Sequence, residues 1–342
     1  MRAMRLKEIG QPLCLEEVKR PECGPDEVLV AVRAAGVCGT DLKIQAGKIP
    51  VKRLPLTLGH EFSGVLVDKG PRVQDFKVGD EVLVSFYVPC NHCKWCLSGR
   101  HTICENLKGR LGFETDGGLA DFVAVPEGCL IRKPSSLSFA EAAIISDAVA
   151  TPYHALRKRA AVAEGDRTVV VGGGGGLGLH AIQIAKALRN VVIGVDTKPE
   201  KLGLMKQYGA DEVIDAREER EWGAKVVQMT GGIGADNVIE FVSSVETVTN
   251  SINALRKGGK LVLVAYSAEL RVDSLKAVLG ELDIIGSRAA PKRDIEECLE
   301  LVTRGSVKPV VGEILRFEDA NRALSMLREG TVNGRVVLEV SR

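Results

Sequence analysis

Apolar and polar residues alternate along "DEVLVAVRAAGV" (26–37), the pattern of a strand with one face buried. "EFSGVLVDKG", "GDEVLVSF" and "LADFVAVP" repeat the theme, with Gly and Pro between them. Residues 1–150 are therefore expected to form a compact, barrel-like β region. The pattern changes near residue 150. "RTVVVGGGGGLG" is a short apolar run ending in glycines, "LGLHAIQIAKALR" carries the apolar face of a helix, and "NVVIGVD" reads as a strand again. "DEVID", "DNVIEFV", "GKLVLVAY" and "LDIIGS" continue the alternation. Strand and helix in turn build a parallel sheet covered on both faces, so 151–289 is expected to be a doubly wound α/β domain. The tail, 290–342, has a helix near "RDIEECLELVTRG" and a strand at "GRVVLEV", and is expected to complete the first domain.

The chain has 342 residues, more than one hydrophobic core usually organises, which agrees with two domains. With 45% hydrophobic and 27% charged residues it has the composition of an ordinary soluble globular protein. A net charge of +1 supplies no bulk field for nucleic acid or a membrane surface. No apolar run approaches the roughly 20 residues that span a bilayer. "MRAMRLKEIG" lacks the apolar core of a signal peptide. The expected setting is the cytoplasm, and the expected partner is a small molecule.

Two stretches carry chemistry that can be read from residue type and spacing. "PCNHCKWCLSGRHTIC" holds Cys90, Cys93, Cys96 and Cys104. Thiols stay reduced in the cytosol, so this packing reads as metal binding rather than as disulfides. Four thiolates complete a tetrahedral zinc shell and leave no position for a substrate, which makes the cluster structural. The second stretch is the glycine run 172–178. In the register Gly173, Gly175, Gly178, with Gly176 and Leu177 between, it follows a strand and opens a helix. Glycines there let the backbone approach a pyrophosphate at a helix N-terminus. Asp196 ends the next strand, where a carboxylate accepts from both ribose hydroxyls of NAD and repels a 2′-phosphate. Lys201 could reach the same ribose, and Lys198 is a cation that would suit NADP.

The reaction centre should lie elsewhere, because a catalytic zinc needs three protein ligands and one open position. "GVCGTDLK" and "LTLGHEFSG" offer Cys38 and His60 by residue type, with Glu61 beside them. A single Cys is also a common core residue, and a single His in a turn is often only a hydrogen-bonding group.

"GHEFSGVLVDKGPRV" fits the zinc alcohol dehydrogenase signature G-H-E-x2-G-x5-G-x2-V at every fixed position. With "CGTD", the four-cysteine loop and the glycine turn in order, the whole chain resembles the medium-chain zinc-dependent alcohol dehydrogenases. The resemblance implies a GroES-like β-rich catalytic domain beside a Rossmann domain, two zinc ions, NAD, and a homo-oligomer, tetramer rather than dimer. It implies that Cys38, His60 and Asp147 hold the catalytic zinc, with Glu61 beside it. Thr40 would hydrogen-bond the alcohol and accept its proton, aided by Lys43. Thr151 would touch the nicotinamide, Phe86 would line the substrate pocket, and Arg335 would meet the pyrophosphate. Gly39 and "CGTD" look like the secondary-alcohol, polyol and threonine branches, which makes a secondary alcohol, diol or polyol the expected substrate. Rival readings are a dedicated L-threonine or acyl-CoA-linked cyclic alcohol dehydrogenase, a zinc-free quinone or enoyl reductase of the same fold, and a non-catalytic NAD-binding structural protein.

Overall fold

A computed structural model describes residues 1–266 and 269–340. The chain divides into two compact units. The first comprises Met1–Asp147, Ala290–Leu299 and Pro309–Arg342; the second comprises Ala148–Ala289 and Glu300–Lys308.

The first unit is built around the strand Glu27–Val37, whose residues are buried for most of its length. It pairs antiparallel with Glu61–Lys69, with Phe122–Pro126 along its first half and with Arg335–Glu339 along its second. Glu81–Val84 and Leu130–Arg132 extend the sheet on one side, and Val311–Arg316 extends it on the other. Two pairings bring chemistry together. Gly36 lies opposite Glu61, and Val37 lies opposite Val336. The residue after Val37, the residues around Glu61, and Arg335 therefore all emerge at one end of this sheet. A Cβ on Gly36 would stand 2.2 Å from Glu61 Oε2, so only glycine leaves room for the carboxylate there.

The second unit has a six-stranded parallel sheet. Its order is Glu212–Asp215, Val191–Asp196, Arg167–Val171, Ala235–Glu240, Leu255–Leu263, Asp283–Gly286. That is the doubly wound order, with its reversal between the Arg167–Val171 and Ala235–Glu240 strands. Val169, Ile193, Val238 and Leu261 from the sheet pack with Trp222, Val248 and Ile252 from two helices. The sheet is apolar because helices cover it, which is why these strands read as continuous apolar runs. The architecture expected from the sequence, a β-rich unit and a Rossmann-type α/β unit, is the one the structure shows. Among the described residues no helix is long and apolar enough to cross a membrane.

Candidate zinc and dinucleotide sites

Cys38 follows the central strand and caps the short helix Gly39–Gln45. Its N–H donates to Asp41 Oδ2 at 2.9 Å, and Asp41 N–H donates back to the Cys38 carbonyl at 3.0 Å. This reciprocal cap fixes where the thiol points. His60 enters from Gly59, whose φ of +91° and close approach to Leu119 N require glycine. Asp147 stands on a π-helical turn, Ile145–Val149, directly after the helix Phe139–Ile144. The wider turn re-aims a side chain that a regular helix would carry elsewhere.

These elements bring ligand atoms of Cys38, His60, Glu61 and Asp147 within 4.8 Å of one another. Asp147 Oδ2 lies 3.5 Å from Cys38 Sγ and 3.8 Å from His60 Nε2. Zinc bonds of about 2.0–2.3 Å in a tetrahedron put ligand atoms roughly 3.5 Å apart. One thiol, one imidazole and one carboxylate at that spacing fit a zinc ion with a position to spare.

The electrostatics of the pocket also favour a cation. Burial lowers the pKa of His60, but the charge of Asp41 and hydrogen bonding to Asp147 outweigh it and hold the imidazole well above its ordinary value. Burial pushes the Asp147 carboxyl up, yet His60 and Arg335 bring it far below the usual carboxylate range. Glu61 is fully buried and burial holds its pKa well above normal, although Arg335 opposes this.

Two residues of this cluster were not singled out from the sequence as parts of the metal site. Asp41, fully buried, places Oδ1 3.5 Å from His60 Nδ1. That contact is not a hydrogen bond, so the carboxylate acts on the imidazole through its charge, while Nε2 faces the ligand cluster. Its signal was the Cys38–Asp41 spacing, which is that of a helix capping box. Phe113 is the other. Its ring lies 5.1 Å from the imidazole of His60, and nothing in the local sequence marks it. Phe86, expected to line a substrate pocket, packs edge-on against the same imidazole at 5.1 Å.

Arg335, expected at a pyrophosphate, is placed instead among the metal-site carboxylates. It is 4% exposed, and its Nη2 lies 2.7 Å from Glu61 Oε1 and 3.2 Å from Asp147 Oδ2. A pyrophosphate would have to compete with both carboxylates for it. Thr40 is half-buried on the first turn of the helix after Cys38, and Lys43 is half-buried on its last turn. Burial lowers the pKa of Lys43.

The four-cysteine loop spans the interval between the paired strands Tyr87–Val88 and Gly109–Arg110. Cys96 Sγ lies 3.8 Å from Cys90 Sγ and 3.6 Å from Cys93 Sγ, and Cys93 Sγ lies 3.9 Å from Cys104 Sγ. Zinc–sulfur bonds of about 2.3 Å give sulfur–sulfur separations of roughly 3.8 Å in a tetrahedron. Main-chain N–H groups donate to the sulfurs of Cys90 and Cys104. The N–H of Cys96 and the other donors around Cys93 bring that thiol down to about 6, while burial and the neighbouring cysteines push Cys96 up to about 12, so the cluster shares its protons unequally.

In the second unit the glycine turn is held by its neighbours. The N–H groups of Gly172 and Gly173 both donate to the Val195 carbonyl, at 2.9 and 3.0 Å. A Cβ on Gly178 would meet Gly172 O at 2.2 Å, so the helix packs against the turn only as glycine. Gly175 has just Gly172 O, at 3.3 Å, near its Cβ position, which leaves its outer side open for a ligand. The Gly176 carbonyl bonds His180 Nδ1 at 2.7 Å, just past Leu177. Asp196 Oδ2 accepts the N–H of Gly174 at 2.9 Å, and Oδ1 accepts that of Thr197 at 2.8 Å. Oδ1 also accepts the N–H of Lys198 at 3.2 Å, so the lone pair left for a ribose hydroxyl is on Oδ2. Lys201 lies over Gly174 and is 5% exposed. Thr151 is buried on the helix Ala150–Tyr153.

A mixed-donor zinc site on a β-rich unit and a glycine-turn dinucleotide site on a Rossmann-type unit define a zinc-dependent oxidoreductase. The alcohol dehydrogenase GroES-like domain matches residues 24–135, and the zinc-binding dehydrogenase family matches residues 176–304. An alcohol dehydrogenase of Geobacillus stearothermophilus is 38% identical over 345 residues, covering 99% of this chain and 100% of the relative. An NAD-dependent alcohol dehydrogenase of Sulfolobus acidocaldarius is 37% identical over the full length of both. The crystal structure of the alcohol dehydrogenase of Aeropyrum pernix superposes with a TM-score of 0.92 at 34% identity, covering 99% of this chain and 100% of that one. The chain belongs to the medium-chain zinc-dependent alcohol dehydrogenase family.

Two outcomes are expected. Cys93→Ser should release one zinc per chain by elemental analysis and lower the melting temperature, while turnover per remaining zinc stays close to wild type. Loss of turnover in folded protein that keeps both ions would reverse the roles given to the two sites. Asp41→Asn should weaken zinc at the Cys38 site by about 10–100-fold in a chelator competition, leaving the cysteine loop loaded.

Proposed function

We propose that the enzyme oxidises secondary alcohols, diols or polyols to ketones with NAD, using Cys38, His60 and Asp147 as the ligands of a catalytic zinc. The observation that carries this reading is the buried Cys38–His60–Asp147 set at zinc spacing, with Asp41 and Arg335 locked against it. Zinc supplies Lewis acidity that makes an alcohol proton removable near neutral pH, and NAD supplies the hydride acceptor. Thr40 Oγ1 orients the alcohol and receives its proton. Lys43 stands one turn further along the same helix face and takes the proton onward. Its lowered pKa suits that exchange, since an ordinary lysine holds its proton firmly near neutrality.

In the second unit Gly173, Gly175, Gly176, Leu177 and Gly178 receive the pyrophosphate. Asp196 and Lys201 hold the adenosine ribose, and Thr151 meets the nicotinamide. Asp196 favours NAD over NADP through repulsion of a 2′-phosphate.

A homo-oligomer is supported by the outer edge of the parallel sheet. The helix Ser274–Leu279 buries none of its residues, and Leu275, Val278 and Leu279 are 67–72% exposed beside the edge strand Asp283–Gly286. An open strand edge flanked by apolar side chains is stable when a second copy covers it. We place a dimer contact there, and a tetramer as two such pairs.

NAD reduction by zinc-loaded enzyme across primary, secondary and polyhydric alcohols and L-threonine tests the reading. Turnover with secondary alcohols or polyols is expected; turnover confined to L-threonine, or none with NAD bound, would overturn it. Thr40→Ala should lower kcat by roughly 10²–10⁴-fold while Thr40→Ser keeps most activity. Equal kcat in both would remove Thr40 from proton transfer. Val278→Asp should halve the molar mass measured by light scattering; a monomeric wild type would exclude the edge contact.

A further inference from the structure

The first unit holds a cavity of about 980 Å³. It is lined from the strand Phe122–Pro126, from the Tyr87–Val88 and Gly109–Arg110 ribbon that carries the cysteine loop, and from the segment 18–27. None of Cys38, Thr40, His60 and Asp147 lines it. The segment 85–87 is a wall shared by the cavity and the metal cluster. Phe86 packs on the imidazole of His60, while Ser85 and Tyr87 on either side of it line the cavity. A space of this volume is the size of a small-molecule pocket, far larger than the voids left between packed side chains.

The charges around the cavity are unevenly matched. Its four acids already have donors. Asp26 is held by Arg72 at 2.5 Å, and Asp116 by Arg53 at 2.7 Å. Glu27 Oε2 accepts the N–H of Gly24 at 2.8 Å, and Glu127 Oε1 accepts those of Gln74 and Asp75 at 2.9 and 2.7 Å. Arg5 and Lys19 are answered by Glu16 and Glu22. Lys108 and Lys292 also line the cavity, and among the described residues neither makes a hydrogen bond or an ion pair.

One end of the cavity is built around Cys129, which is 2% exposed. Its carbonyl accepts the N–H of Ser85 at 2.8 Å, and its thiol donates to the Tyr87 carbonyl at 3.4 Å. Burial pushes that thiol up to about 12, and the nearby charge of Lys292 opposes the shift. The thiol therefore stays neutral beside the ammonium. Ser85 is 3% exposed, and its hydroxyl has no partner among the described residues. A buried hydroxyl and an unpaired ammonium thus flank the same residue. We infer that this cavity binds an amphipathic organic monoanion, an aryl- or alkylcarboxylate, with its carboxylate on Lys292 and Ser85 and its apolar body against Tyr87, Leu111 and Phe122. A carboxylate can accept from the ammonium and the hydroxyl at once. A neutral alcohol would leave the charge of Lys292 unanswered, which sets this site apart from one for the substrate.

Calorimetric titration of full-length, zinc-loaded protein with 4-phenylbutyrate tests this. One molecule per chain should bind, with or without saturating NAD. Lys292→Glu should weaken binding tenfold or more. Lys292 opens the helix Lys292–Thr303, where an acid suits the N-terminus, so the variant should fold and turn over alcohol as the wild type does. Ser85→Ala keeps the main-chain bond to Cys129 and should weaken binding roughly three- to tenfold. Cys38→Ser should bind 4-phenylbutyrate as tightly as the wild type. No binding up to about 10 mM, or equal affinity in wild type and Lys292→Glu, would overturn the inference. Binding lost in Cys38→Ser would also overturn it, because the carboxylate would then sit at the metal site.

Discussion

The first unit is organised around a buried cluster of acidic groups. Asp41 and Glu61 are fully buried, and Cys38 and Asp147 are 6% and 7% exposed, all around one point. Taking an ion out of water costs several kcal/mol, repaid only by close opposite charge and complete hydrogen bonding. Arg335 supplies one positive charge and shares it between Glu61 and Asp147. A divalent cation at the cluster of Cys38, His60 and Asp147, as proposed above, would supply the balance. The affinity of a metal and the stability of this end of the sheet are then linked, because a cation relieves the cost of the buried acidic groups.

The two zinc sites differ in what surrounds them, and this separates their work. The sulfurs of the cysteine loop lie against one another and accept main-chain N–H groups, in a loop with little apolar material of its own. A closed sulfur shell is the core of that loop. The Cys38 site is set in a rigid sheet, with His60 clamped between Phe86 and Phe113 and aligned by Asp41. Its ligands do not need the metal to find their places, so the fourth position can be left for a substrate.

Much of this was legible in the sequence, and the limit has a physical cause. Strand alternation and the strand–helix sequence gave both architectures, since burial on one face or two leaves a periodic trace. Cys38, His60 and Glu61 stood in short motifs. Asp147 could be named only through the family resemblance, because the π-helical turn that aims it has no local pattern. The partners of Arg335 were hidden for another reason. They depend on the register that sets Gly36 opposite Glu61 and Val37 opposite Val336, joining residues almost 300 positions apart. Asp41 stood unremarked inside the "CGTD" motif, and the approach of its Oδ1 to His60 belongs to tertiary structure.

The second unit solves a different problem with the same residue type. On both sides of the Arg167–Val171 strand, the neighbouring strand ends in a carboxylate that accepts N–H groups from the loop it leads into. Asp196 takes those of Thr197 and Lys198, and Glu240 takes those of Val242 and Ser243. Burial distinguishes them. Asp196 is partly exposed and also grips Gly174, so it holds the turn and keeps a lone pair on Oδ2. Glu240 is fully buried, and both its oxygens are taken by its own loop and the helix that follows. The two carboxylates stand at equivalent strand ends, and only the first keeps a face toward solvent.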